Sequence, residues 1–182
     1  MHIADAQREM RSAFLGGLVG QLLSGLLWLT SAALWTWGSP RTGITFVVVG
    51  GFFIFPLTQA GLRLMGRPGR VAPENGLYSL GSQVALVLPL CLPVVGAAAL
   101  HRLDWFYPAL MVALGAHYLP FVFLYGMRMF GALAVILWAG GVFLGTWFPL
   151  GATAGAWFTG AVLLAFAFLG RALVLGEERR GG

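Results

Sequence analysis

Six apolar stretches follow one another along the chain, near residues 13–37, 43–65, 77–100, 105–126, 128–148 and 151–172. Each is long enough to cross a hydrocarbon core as a helix, which takes about 20 residues. The apolar residues come in long blocks, without the short alternation of a half-buried strand. Turn-forming residues separate the blocks: Gly38-Ser39-Pro40-Arg41, Gly66-Arg67-Pro68-Gly69-Arg70, His101-Arg102-Leu103-Asp104, Arg128, and Pro149 with Gly151. The pattern predicts an all-α membrane protein, a bundle of six transmembrane helices over residues 13–172. A cytoplasmic segment over 1–12 precedes it and a cytoplasmic tail over 173–182 follows.

Residues 1–12 mix Asp5 and Glu9 with Arg8 and Arg11, and the apolar run behind them is too long for the core of a cleaved signal. Ile3, Met10 and Phe14 are spaced for one helical face, so a short amphipathic helix on the membrane surface is one reading. A solvated lead-in to the first span is the other. Gly16 with Gly20, and Gly151 with Gly155, stand four residues apart, a spacing that lets helices approach closely in lipid and that would also serve a homo-oligomer.

Composition agrees with the pattern. The chain of 182 residues is 59% hydrophobic and 9% charged, where a soluble domain carries about 25% charged residues. The formal charge of +5 is spread over short loops and ends, so no nucleic-acid surface is expected. Every cation is Arg. Without Lys there is no Schiff-base chemistry and no Walker-type phosphate loop. Cys91 is the one cysteine, which excludes an intrachain disulfide and a cysteine metal cluster.

The Arg residues also orient the chain. With the N-terminus inside, nine of them (Arg8, Arg11, Arg63, Arg67, Arg70, Arg128, Arg171, Arg179 and Arg180) fall inside. Two, Arg41 and Arg102, fall outside. That bias predicts both termini in the cytoplasm. Trp35, Trp37, Trp105 and Trp147 fall near the outer ends of spans, where amphipathic rings sit at the interface.

Polar groups at membrane depth are costly, and by default they raise a functional hypothesis. Gln21, Thr58 with Gln59, Ser82 with Gln83, and His117 beside Tyr118 all fall between the midplane and the inner third of spans one to four. Pro56, Pro89 with Pro93, and Pro120 interrupt the second, third and fourth spans near that layer. Broken helices of this kind build binding sites at the midplane of transporters. The expectation is a polar cavity between spans one and four, with spans five and six as scaffold. His117 is its titratable interior group, able to couple proton movement to a substrate or gate. For the same residues the opposite reading is glue: a neutral histidine bonded to a backbone carbonyl, and glutamines joining helices.

No cofactor, metal site or catalytic group is expected. His101 lies at the outer surface, 16 residues from His117, and Asp104 and Glu74 lie in loops on opposite sides. Glu74 and Asn75 are placed to cap the third span. The expected partners are membrane lipids and a small-molecule or ion substrate. The function expected is a translocator or binder, with a non-catalytic structural or accessory role as the alternative.

The run Gly115-Ala116-His117-Tyr118-Leu119-Pro120-Phe121 with Leu124-Tyr125-Gly126-Met127 resembles an uncharacterised bacterial polytopic membrane-protein family of unknown function. Gly50-Gly51-Phe52-Phe53-Ile54-Phe55-Pro56-Leu57 and Ala6-Gln7-Arg8-Glu9 fit it too. The resemblance covers nearly the whole chain, implies a multi-pass protein of a bacterial inner membrane, and implies no particular activity. It favours His117 and Pro56 as positions to test.

Overall fold

In a computed structural model, residues 2–67, 69–147 and 151–181 are described. Pro68 and Pro149, assigned above to turns, lie outside them. Among the described residues the chain is helical with no strand, and six helical segments are long and apolar enough to span a membrane. The protein is a multi-pass membrane protein.

The first span has two parts. Helix α1 (Ile3–Phe14) buries Ala6, Met10 and Ala13 on one face, at the spacing of an amphipathic helix. Leu15, Gly16 and Gly17 then take left-handed φ angles of 50°, 60° and 84°, a conformation only glycine adopts freely. The kink stops α1 and redirects the chain into α2 (Leu18–Trp37). Met10 is 4% exposed but Ile3 is 50% exposed, so the apolar face read from Ile3, Met10 and Phe14 is rotated. Helix α1 also packs under α4 and α6 instead of lying free on a surface.

Helix α3 (Pro40–Leu64) begins with a reciprocal cap between Ser39 and Thr42, with Pro40 in its first turn. Helix α4 (Leu77–His101) starts where the Asn75 side-chain oxygen accepts from the Leu77 amide at 3.1 Å. Helices α5 (Phe106–Tyr118) and α6 (Phe121–Tyr125) make the fourth span and meet at Pro120. Helix α7 (Met129–Thr146) is the fifth span. Helix α8 (Ala154–Gly181) is the sixth, and it continues into the segment read from the sequence as a tail.

Pro56, Pro89 and Pro93 do not interrupt their helices. Helices α3 and α4 run through them, and the break expected in each of three spans is present at Pro120 alone among these prolines. The prolines still act locally: each removes a helical donor, leaving the carbonyl four residues back without its usual partner.

The bundle is built on three close pairs, α5 with α7, α2 with α8 and α2 with α3. A methyl group on Gly160 would sit 3.0 Å from the Gly25 carbonyl oxygen, and one on Gly141 2.7 Å from that of Pro108. Of the two pairs spaced four apart, Gly16 and Gly155 meet neighbouring side chains at 2.8 Å, whereas Gly20 is looser and Gly151 meets nothing within 4 Å, because spacing alone does not say which face meets a neighbour. Ser31 on α2 donates to the Gly43 carbonyl of α3 at 2.8 Å, and its oxygen lies 2.6 Å from the Tyr107 hydroxyl of α5. Helix α3 packs along α2 and makes little contact with α4, while α4 leans on α5. In α3 and in α4, 11% of the most apolar stretch is buried, against 50% in the first and fourth spans. These two helices are the outer members of the bundle. Trp37 and Trp147 are exposed at span ends, but Trp35 is packed against Tyr107, ring centres 5.2 Å apart.

Candidate functional site

A cavity of about 290 Å³ lies among α1, α2, α3, α4, α5 and α6, and Phe130 of α7 closes one side. Its wall is mostly apolar, and among the described residues no Asp, Glu or Arg lines it. The size is near the lower end of the range of about 300–1,000 Å³ for small-molecule sites.

The polar residues are gathered at one end. Gln21 begins a stripe along α2 that continues through Ser24, Trp28 and Ser31, all buried. The first three line the cavity, and Ser31 is taken up by Tyr107 and Gly43. Thr58 and Gln59 come from the C-terminal half of α3, Tyr78 and Ser82 from the start of α4, and His117, Tyr118 and Tyr125 from the ends of α5 and α6. Neighbouring spans run in opposite directions, so these residues lie with Gln21 and Ser24 toward the side where α1 packs. Toward the other side the wall is Leu27, Val47, Leu88, Leu92, Leu110 and Leu114.

Several of these polar groups have no partner. Gln21 is 2% exposed, and neither its amide nitrogen nor its amide oxygen is hydrogen-bonded. The Thr58 hydroxyl and the Gln59 amide nitrogen are also buried and unbonded. A buried polar group without a partner costs about 1–3 kcal/mol, and such groups are uncommon in native folds. His117 is the contrast. Its Nδ1 lies 3.1 Å from the Val84 carbonyl oxygen. A carbonyl only accepts, so Nδ1 carries the hydrogen, and in the neutral ring Nε2 is left as an acceptor. This is the bond that the glue reading of His117 anticipates.

Of the residues singled out in the sequence, Gln21, Thr58, Gln59, Ser82, His117, Tyr118 and Pro89 line the cavity. Gln83, Pro56 and Pro120 do not. Gln83 is exposed on α4, facing away from Val84, which is buried. Pro56 is exposed on α3. It and Pro89 nevertheless deprive the carbonyls of Phe52 and Ala85 of helical donors, and both of those residues line the cavity. Ser24, Tyr78 and Tyr125 were not singled out. Ser24 was legible, three residues beyond Gln21 on one helical face.

Helix α1 floors the polar end with Met10 and Phe14, and a set of polar contacts holds it there. Glu9 accepts from the Ala72 amide at 2.6 Å and from the Asn75 side chain at 2.9 Å. Gln7 donates to the Phe123 carbonyl and Arg11 to the Tyr125 carbonyl, both at 2.6 Å. Asn75 thus both caps α4 and ties the long loop to α1.

No curated protein and no solved structure matches the chain. A family described as a family of unknown function (DUF7010) matches residues 3–172, a stretch that holds every residue of the cavity wall, and the protein belongs to that family.

Proposed function

We propose that the protein binds a small uncharged molecule in the cavity between spans one and four and moves it across or within the membrane. The observation that carries this reading is Gln21: an amide buried in the cavity wall with both polar atoms unbonded. Thr58 and Gln59 add two more unmet groups. Side-chain rotation brings these groups onto an occupant, whose hydrogen bonds relieve the cost of burying them. The absence of charged residues from the described wall favours an uncharged ligand over an ion. His117 then serves as an acceptor through Nε2, held by Val84, more than as a proton carrier. The Arg distribution supports both termini inside, and the family resemblance supports a bacterial inner-membrane location.

The alternative is a non-catalytic accessory role through helix contacts with partners, or with further copies of the chain. The broad exposed faces of α3 and α4 favour that reading. Native mass spectrometry of the full chain released from a mild detergent separates the two. A small molecule that co-purifies with the natural sequence and is lost from Gln21→Leu supports the binder. Equal spectra, with no bound molecule in either, would overturn it.

A further inference from the structure

Among the described residues, every exposed member of the cavity wall belongs to α3 or α4: Gly51, Phe52 and Phe55 on one side, Tyr78, Ser82 and Ala85 on the other. All the lining residues from α1, α2, α5, α6 and α7 are buried or partly buried. The two helices that flank this mouth are also consecutive spans that barely touch. Gly51 to Phe55 stand at the middle of α3, and Ala85 stands four residues from the middle of α4. Tyr78 and Ser82 carry the edge of the mouth down to the start of α4, but the part framed by Gly51, Phe52, Phe55 and Ala85 stands at a height that opens into hydrocarbon.

Resting on the binding reading above, we infer that the cavity takes a membrane-dissolved, uncharged single-chain amphiphile, which enters sideways between α3 and α4. The wall has the polarity profile of such a molecule. Its head would meet two amide nitrogens and one amide oxygen from Gln21 and Gln59, and the Thr58 hydroxyl. That set asks for a head offering both acceptors and a donor, such as an ester with free hydroxyls. The tail would lie along Leu27, Val47, Leu88 and Leu92 and trail through the mouth past Phe52 and Phe55. A charged headgroup would be unpaired in this wall, which is costly. A partner's helix, about 10–12 Å across, does not fit the volume.

The probe is a monoacylglycerol with a photoactivatable diazirine in its acyl chain, added to the full chain in lipid nanodiscs. Labelled peptides are mapped by mass spectrometry. Labelling is expected to concentrate within 51–55 and 82–89 and to be displaced by plain monoacylglycerol. A methyl group on Gly51 meets nothing within 4 Å, so Gly51→Trp fills the mouth without disturbing the backbone. It should cut displaceable labelling roughly tenfold, equivalent to about 1.4 kcal/mol of affinity. Ala85→Trp blocks from the other side and should do the same. Gly96 is equally free of neighbours and lies outside the wall, so Gly96→Trp should label like the natural chain.

Labelling spread evenly over lipid-facing positions such as Leu100, Val135 and Phe168, and indifferent to both blocking substitutions, would overturn the inference. So would crosslinks from the mouth to a second protein chain. Displacement of a co-purified ligand by glycerol but not by monoacylglycerol would sink the sideways route while leaving the binding reading intact.

Discussion

The Nδ1 atom of His117 lies 3.1 Å from the carbonyl oxygen of Val84, tying α5 to α4 across the cavity wall. An Asn side chain can present an N–H at nearly the position of Nδ1. His117→Asn should therefore keep the tie and the stability of the natural chain, whereas His117→Leu should lose about 1 kcal/mol. Thermal unfolding in detergent, followed by tryptophan fluorescence, reads the difference. Equal losses in both variants would mean that the bond to Val84 contributes nothing.

The hydroxyls of Ser31 and Tyr107 join three helices at one buried point. Tyr107→Phe removes one hydroxyl and leaves Ser31 bonded to Gly43, so it should cost about 1 kcal/mol. Tyr107→Ala also empties a site that is 0% exposed and should cost about 3–5 kcal/mol. Gly43→Ala belongs with the larger losses, because its methyl would press to 2.8 Å from both the Ser31 carbonyl oxygen and Trp35. Comparable melting curves for the Phe and Ala variants would contradict this packing.

Helix α1 is held by Arg11 more than by its ion pair. The Arg11 side chain is 14% exposed and that of Glu177 is 59% exposed. An exposed carboxylate partner of this kind is worth less than about 1 kcal/mol. Glu177→Gln should leave α1 seated, whereas Arg11→Ala also leaves the Tyr125 carbonyl without its donor. In a Cys91→Ala background, Met10→Cys should react faster with a maleimide when Arg11 is replaced, and at the natural rate when Glu177 is. The same rate in all three would show that α1 is seated by its apolar face alone.

Arginine placement predicts that the 65–76 loop faces the cytoplasm and the Gly38–Ser39 turn faces outward. In the same background, a cysteine at Gly38 should react with an impermeant maleimide in intact cells. One at Glu74 should react only after the membrane is opened. The reverse pattern would invert the topology.

Much of the fold was legible because lipid imposes one rule on every span. Backbone groups must bond within the helix, so length and apolarity locate the spans without knowledge of their neighbours. The cavity residues were legible for a related reason: Gln21 and Thr58 are conspicuous in an apolar run. What the pattern could not supply was rotation. Ser82 and Gln83 are adjacent, yet about 100° apart around α4, and only the first reaches the cavity. The prolines misled because Pro56 and Pro89 cost one bond each without ending their helices, whereas Pro120 coincides with a true change of helix. The mouth was illegible altogether, since it depends on two consecutive helices failing to pack.

The measurement that bears most directly on the central claim is the sign of the stability change in Gln21→Leu, made on protein stripped of bound small molecules. A residue kept for a ligand leaves an unpaired amide in the wall, and a leucine of similar size removes that burden. The binding account predicts that stripped Gln21→Leu unfolds at a higher temperature than the stripped natural chain, by about 1 kcal/mol in stability, and that before stripping the variant lacks the ligand that co-purifies with the natural chain. A lower unfolding temperature, with no ligand to lose, would show that Gln21 joins helices and would contradict the account.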